Sequence, residues 1–265
     1  MKNYRHWLTL LLVLSTSIWL RSQATSAPAA EDGPDPAQVA ELVIANHILA
    51  TEGVLDAWGH VSVRDTRHPN HFLLARQIPP AMVTAADIVE YDFDGNPVHD
   101  PHGKSFLERY IHGEVYRSRP DVMSVIHSHA PELLPFSVTS VPLRPMIHMA
   151  GFLHGAVPVF DIREDAGDTD MLIRTSALGR AMAATLGDKP MLLLRGHGAV
   201  IVGPSLHIAV GRAVYAIVNA KAEQQALLLG GGKVTFLSPE EAAKASSQGG
   251  FERGWEYWKW KLDHP

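Results

Sequence analysis

Val122-Met123-Ser124-Val125-Ile126-His127-Ser128-His129-Ala130 is an apolar, β-branched run that ends in two histidines. Such a run predicts a strand, and residues two apart on a strand point to one face, so His127 and His129 converge. Further along, Arg195-Gly196-His197-Gly198 lies between the apolar runs Met191–Leu194 and Ala199–Val202, which predict two strands joined at a hairpin tip or kink. Glycines on both sides of His197 remove side-chain bulk where backbone must approach closely. Three imidazoles in this arrangement point to a metal. Neutral imidazole suits zinc, manganese, iron or copper, and three ligands leave a coordination position open for substrate. A His-x-His pair alone also occurs on ordinary strands, so the third histidine and an upstream acid carry much of the reading.

That acid is Glu108, in a predicted helix over 105–118, where it shares a face with His112 one turn later. A carboxylate beside a divalent cation can ligate it when no substrate is present and move protons when substrate binds. His112 and Tyr116 read as packing or supporting groups.

The surrounding pattern alternates strands with helices. Pro36 opens a predicted helix with Val39, Leu42, Val43 and Leu49 at helical spacing, and Gly53 ends it. Strands are predicted over 61–65 and 71–75 across a 66–70 turn. Thr84 with Asp87 forms a capping pattern, and 88–93 and 97–98 read as a hairpin about Asp94-Gly95. Helices follow over 130–137, 175–187 and 205–230, with a short strand over 155–161. His148 and His154 are read as part of a glycine-containing loop beside the pocket. The combination is a layered α/β domain whose hairpins argue against a purely parallel sheet.

Residues 1–29 read as a secretory signal: Lys2 and Arg5 supply a positive start, and Leu8 to Leu20 is an apolar stretch too short for a comfortable membrane span. Cleavage is expected near Ala29, the alternative being an uncleaved anchor. Residues 30–265 then form a single domain with its own core. Losing Lys2, Arg5 and Arg21 moves the formal charge from −5 to −8, which argues against nucleic acid and anionic membrane surfaces as partners. With no cysteine, disulfides and lipidation at a signal-peptide cysteine are excluded.

The run Glu108-x3-His112-x3-Tyr116-x2-Arg119-Pro120-Asp121, then His127-x-His129-Ala130, then Gly196-His197-Gly198, resembles the class II aldolase and adducin family, typified by fuculose-phosphate aldolase. The resemblance covers roughly Val39 to Leu229. It implies a three-layer α/β/α sandwich with a central, mainly antiparallel sheet, and a homo-oligomer, commonly a tetramer with active sites between subunits. It also implies that His127, His129 and His197 are the metal ligands and Glu108 the catalytic acid/base.

Departures from the family pattern narrow the chemistry. Where the sugar-phosphate aldolases hold phosphate, this chain carries Gly59-His60, Arg76-Gln77 and Phe106-Leu107. Phenylalanine and leucine cannot hydrogen-bond a phosphate, whereas Arg76 offers a planar fork for a carboxylate, with His60 as a nearby donor. Met149 stands where those aldolases have a proton-donating tyrosine. The chain therefore looks closer to the family's decarboxylase-like branch. The expectation is an exported lyase, periplasmic or secreted, that decarboxylates a small non-phosphorylated hydroxy-carboxylic acid, aromatic or dienoic, through a metal-stabilised enolate. One divalent ion per subunit is expected, zinc first, then manganese or iron. The alternatives are an aldolase acting on an unphosphorylated hydroxy-acid and an adducin-like binding module without catalysis. The remaining histidines, His68 and His71 among them, are read as solvated or loop residues. The aromatic tail 255–260 is read as a helix packed on its own subunit or reaching a neighbouring site.

Overall fold

The computed structural model describes residues 33–98, 103–155, 157–246 and 250–264. The expected signal segment, His99 and His102 lie outside them.

Helix α1 (Pro36–Thr51) starts where predicted: Asp35 accepts the Ala37 N–H, and Pro36 sits in the first turn, where its missing N–H costs nothing. Strands β1 (His60–Arg64) and β2 (His71–Ala75) form the first hairpin, and β3 (Ile88–Asp92) extends it. The predicted return strand at 97–98 is reduced to one bridge, Tyr91 to Pro97.

Helix α2 (Arg109–Ser118) begins later than the sequence suggests, leaving Glu108 as its N-cap residue instead of a face residue. Strand β4 (Ser124–Ser128) contains His127 but ends one residue before His129. Helix α3 (Leu134–Val138) is shorter than its predicted span, because Pro131 to Leu133 form turns ahead of it. The stretch read as loop around His148 is a 3-10 helix, His148–Leu153.

The remaining elements are β5 (Val159–Phe160), α4 (Arg163–Ala166), α5 (Ser176–Leu186), β6 (Met191–Leu194), β7 (Gly198–Gly203), α6 (Leu206–Leu229), α7 (Pro239–Ser246) and α8 (Glu252–Asp263). Thr175 and Ser205 cap α5 and α6 with side-chain oxygens, and Gly187 and Gly230 follow their last residues.

Among the described residues the strands form one seven-stranded sheet in the order β3-β2-β1-β4-β7-β6-β5, antiparallel except for β5 with β6. Alternation along the strands divides the core. Val61, Val63, Ile126 and Ile201 pack with α1, α6 and the α8 tryptophans Trp255 and Trp258, while Val125, Val200 and Val202 pack with α2 and α5. This is the expected α/β/α sandwich. Both faces being covered explains why the central strands are apolar on successive residues. No helix among the described residues is long and apolar enough to cross a membrane.

Candidate metal centre and active site

Pairing β1 with β4 sets His60 directly opposite His127, and pairing β4 with β7 continues the sheet toward the tight turn that carries His197. That turn depends on its glycines. Gly196 adopts a φ of +63°, and a Cβ on Gly198 would collide with the Ser128 carbonyl oxygen. The result is a convergent cluster of Glu108, His127, His129 and His197, whose ligand atoms all lie within 4.8 Å of one another.

His127 Nε2 is 3.0 Å from His129 Nε2 and 3.4 Å from Glu108 Oε2, which is itself 3.5 Å from His197 Nε2. The outer nitrogens decide what these inner atoms are. His127 Nδ1 donates to the Ala199 carbonyl at 3.1 Å, and His129 Nδ1 donates to Asp56 Oδ1 at 3.1 Å. Each Nδ1 therefore carries the proton of a neutral ring, and each Nε2 turns a lone pair inward. Two lone pairs facing each other at 3.0 Å repel unless a cation or proton lies between them. The donor set fits a divalent metal, with a carbonyl and a carboxylate orienting two of the ligands.

Glu108 is held from outside as well. Its Oε1 accepts the Ile173 N–H at 2.9 Å, leaving Oε2 for the cluster. Burial opposes its ionisation, but His127 and His197, when they carry a proton on the inner nitrogens in place of a metal, more than offset burial and hold its carboxyl well below the usual carboxylate range. Glu108 is thus a carboxylate at rest and must accept a proton before it can give one.

Behind the cluster runs a buried polar chain. His60 Nδ1 lies 2.6 Å from His112 Nε2, His112 Nδ1 lies 2.6 Å from Ser62 Oγ, and Ser62 Oγ lies 2.7 Å from the Tyr116 hydroxyl. Burial, helped by His112 and His127, pushes His60 well below the ordinary histidine value, and burial pushes His112 down to about 3, so both rings are neutral. His112 and Tyr116, read from sequence as supporting groups, are support of this kind.

The cluster opens into a cleft of about 340 Å³. Trp58, Phe106, Leu107 and Leu172 supply its apolar walls, with His60 and Gln77 as polar groups beside the cluster. Arg76 is not brought in. Its Nε donates to Asp87 Oδ1 at 2.6 Å, while its neighbour Gln77 lines the cleft. The expected guanidinium clamp is therefore spent on Asp87. Sequence reading also missed Asp56 and Trp58. The available signal was Asp56-Ala57-Trp58-Gly59, in which Asp56 Oδ1 accepts the N–H groups of Trp58 and Gly59 in a local turn.

The family model for the class II aldolase and adducin N-terminal domain matches residues 40–223. The chain belongs to the class II aldolase and adducin family. Among curated proteins it is 37% identical over 237 residues to decarboxylase tropJ of Talaromyces stipitatus, covering 80% of this chain and 89% of that one. It is 28% identical over 236 residues to a 3,4-dihydroxyphthalate decarboxylase of Arthrobacter keyseri, covering 83% and 91%. Among solved structures it resembles an aldolase II superfamily protein from Pseudomonas syringae, with a TM-score of 0.73 at 23% identity over 88% of this chain and 96% of that one. That likeness supports the fold, and the decarboxylase relatives place the chain on the decarboxylase-like branch of the family. It is a lyase of this family.

Proposed function

We propose that this class II aldolase family member decarboxylates a non-phosphorylated, hydroxylated aromatic carboxylic acid. The observation that carries the reading is the cleft itself: a three-histidine, one-glutamate cluster faces apolar walls, and no lysine or arginine is among its lining residues. A phosphate would find no lysine or arginine there to hold it beside the metal site, whereas a flat ring gains by leaving water against Trp58, Phe106 and Leu107. The decarboxylase relatives, one of them named for dihydroxyphthalate, support the same substrate class.

His127, His129 and His197 would hold one divalent ion, with zinc the first choice for three imidazoles and a carboxylate, then manganese or iron. Bound there, such an ion supplies a Lewis acid that favours the electron-rich carbon skeleton left as the carbon–carbon bond breaks. Glu108, ionised at rest, takes the proton of a substrate hydroxyl. After carbon dioxide leaves, the bonding pair remains on the ring carbon, and Glu108 returns its proton to that carbon. The product phenolate regains a proton from solvent. His60 and Gln77 orient the substrate's polar groups, and Leu107 and Trp58 pack against its apolar face.

The protein is further proposed to be exported, to the periplasm or outside the cell, on the strength of the Lys2 to Ala30 pattern. Assembly as a homo-oligomer, a tetramer by family resemblance, is supported by exposed Tyr257 and Trp260 on α8. Mass measurement of the mature chain and of the native particle checks both.

The central test is carbon dioxide release from hydroxybenzoic and dihydroxyphthalic acids by metal-loaded enzyme, beside Glu108→Gln. The expected result is turnover abolished in the variant with metal still bound. Unchanged turnover in Glu108→Gln would remove the glutamate from the mechanism, and aldehyde release without carbon dioxide would replace decarboxylation with aldol cleavage.

A further inference from the structure

Away from the cleft, the β1–β2 hairpin gathers a second set of donor groups. His68-Pro69-Asn70-His71 forms the turn, with His71 opening β2 opposite Asp92 of β3. Glu90 lies two residues from Asp92 along β3, on the diagonal that a long side chain spans between antiparallel strands. Its Oε1 lies 2.6 Å from His71 Nδ1 and 2.9 Å from His68 Nδ1. One ligand atom from each residue can be chosen so that all three lie within 4.8 Å of one another.

The turn is built to hold this arrangement. Asp65 is buried, and its Oδ1 accepts the backbone N–H groups of Arg67 and His68 at 2.8 and 3.3 Å. Its Oδ2 lies 3.2 Å from His68 Nδ1, so the ring is held on the side facing Glu90. Two carboxylates thus face two imidazoles, leaving a local charge of about −2 when the rings are neutral. The side chains of His68 and His71 are 38% and 29% exposed, which lets an ion enter and water complete its coordination.

We propose that His68, His71 and Glu90 form a second divalent-cation site that fastens the β1–β2 turn to the edge strand β3. Two imidazoles with one carboxylate select zinc, nickel or copper over magnesium or calcium, which prefer all-oxygen shells. Donor atoms of a tetrahedral zinc site stand about 3.3 Å apart, given bonds of about 2.0 Å. Seating an ion here therefore needs each Nδ1 proton to pass to Nε2 or to solvent, His68 Nδ1 to exchange Asp65 for the ion, and the two rings to withdraw from Glu90 by well under 1 Å, all within a solvent-open turn. The site is separate from the catalytic cluster. Asp65 lies five residues beyond His60, roughly 16 Å along an extended chain.

The test starts from a His127→Ala/His129→Ala variant of the full chain, which dismantles the catalytic cluster. After equilibration with zinc and removal of excess, elemental analysis is expected to find one zinc per chain still bound. Adding His68→Ala/His71→Ala is expected to remove it, as is Glu90→Gln, which keeps the side-chain shape and guards against loss of fold. Zinc is also expected to raise the Tm of the first variant by about 5 °C and to leave the Tm of the others unmoved. No zinc in the first variant, or zinc that persists without His68 and His71, would overturn the proposal. Neither result bears on decarboxylation, since two of the three histidines of the catalytic cluster are already replaced in every variant compared.

Discussion

His60 Nδ1 and His112 Nε2 lie 2.6 Å apart, in a site where burial keeps both rings neutral. One proton therefore serves the pair, and whichever ring donates it fixes the state of the His60 nitrogen that remains. Because His112 continues to Ser62 and Tyr116, the form His60 presents to the cleft is set by side chains that never touch substrate. Replacing His112 with alanine is expected to lower kcat by about 10- to 100-fold, with KM nearly unchanged and metal content intact. Steady-state kinetics with elemental analysis checks this; a KM effect alone would make His112 a packing residue.

Asp56 acts in the same indirect way on the metal. It fixes the His129 tautomer through Nδ1, and the Trp58 and Gly59 N–H groups together with His129 outweigh burial and hold its carboxyl below the ordinary range. Asp56→Ala frees the His129 ring. Metal affinity is expected to fall by about 10- to 100-fold, read by competition with a chelating dye.

Leu107 is an apolar wall residue that is half exposed at the cleft. Leu107→Asp places a negative charge on the wall that the proposed carboxylate substrate would pass. A KM increase of about tenfold or more is expected, with metal content unchanged and a smaller effect at high salt.

Glu223 supplies a pH prediction remote from the site. It is buried on α6, its Oε2 accepts the Arg144 N–H at 3.0 Å, and its Oε1 has no hydrogen-bond partner among the described residues. Burial pushes its carboxyl up to about 7, against the lowering effect of Arg144. Raised above its unfolded value, the group favours folding most below about pH 4.3, and that contribution is lost as pH rises to about 7. Glu223→Gln is expected to flatten this fall and to stabilise the protein at pH 8 by on the order of 1–3 kcal/mol. Denaturant melts of both proteins at pH 5 and pH 8 measure it.

Local signals carried much of the architecture. Pro36, Thr175 with Gly187, and Ser205 with Gly230 bound their helices because caps are properties of neighbouring residues. His127, His129 and His197 were legible as a set because strand alternation and a glycine-flanked turn are short-range features, and Glu108 joins them in space. The start of α2 was misplaced, since Glu108 leaves the helix to accept the Ile173 N–H from a loop 65 residues away.

The sequence by itself determined the layered α/β class and the donor residues, because these follow from residue chemistry and spacing. Only the tertiary structure decided which polar groups serve them. Arg76 and Gln77 are adjacent in sequence, yet Asp87 captures one and the cleft receives the other. His68 and His71 read as solvated turn residues until β3 brings Glu90 between them. The physical reason is common to both: a side chain's partner is chosen by strand pairing and burial, which bring together residues the chain holds far apart.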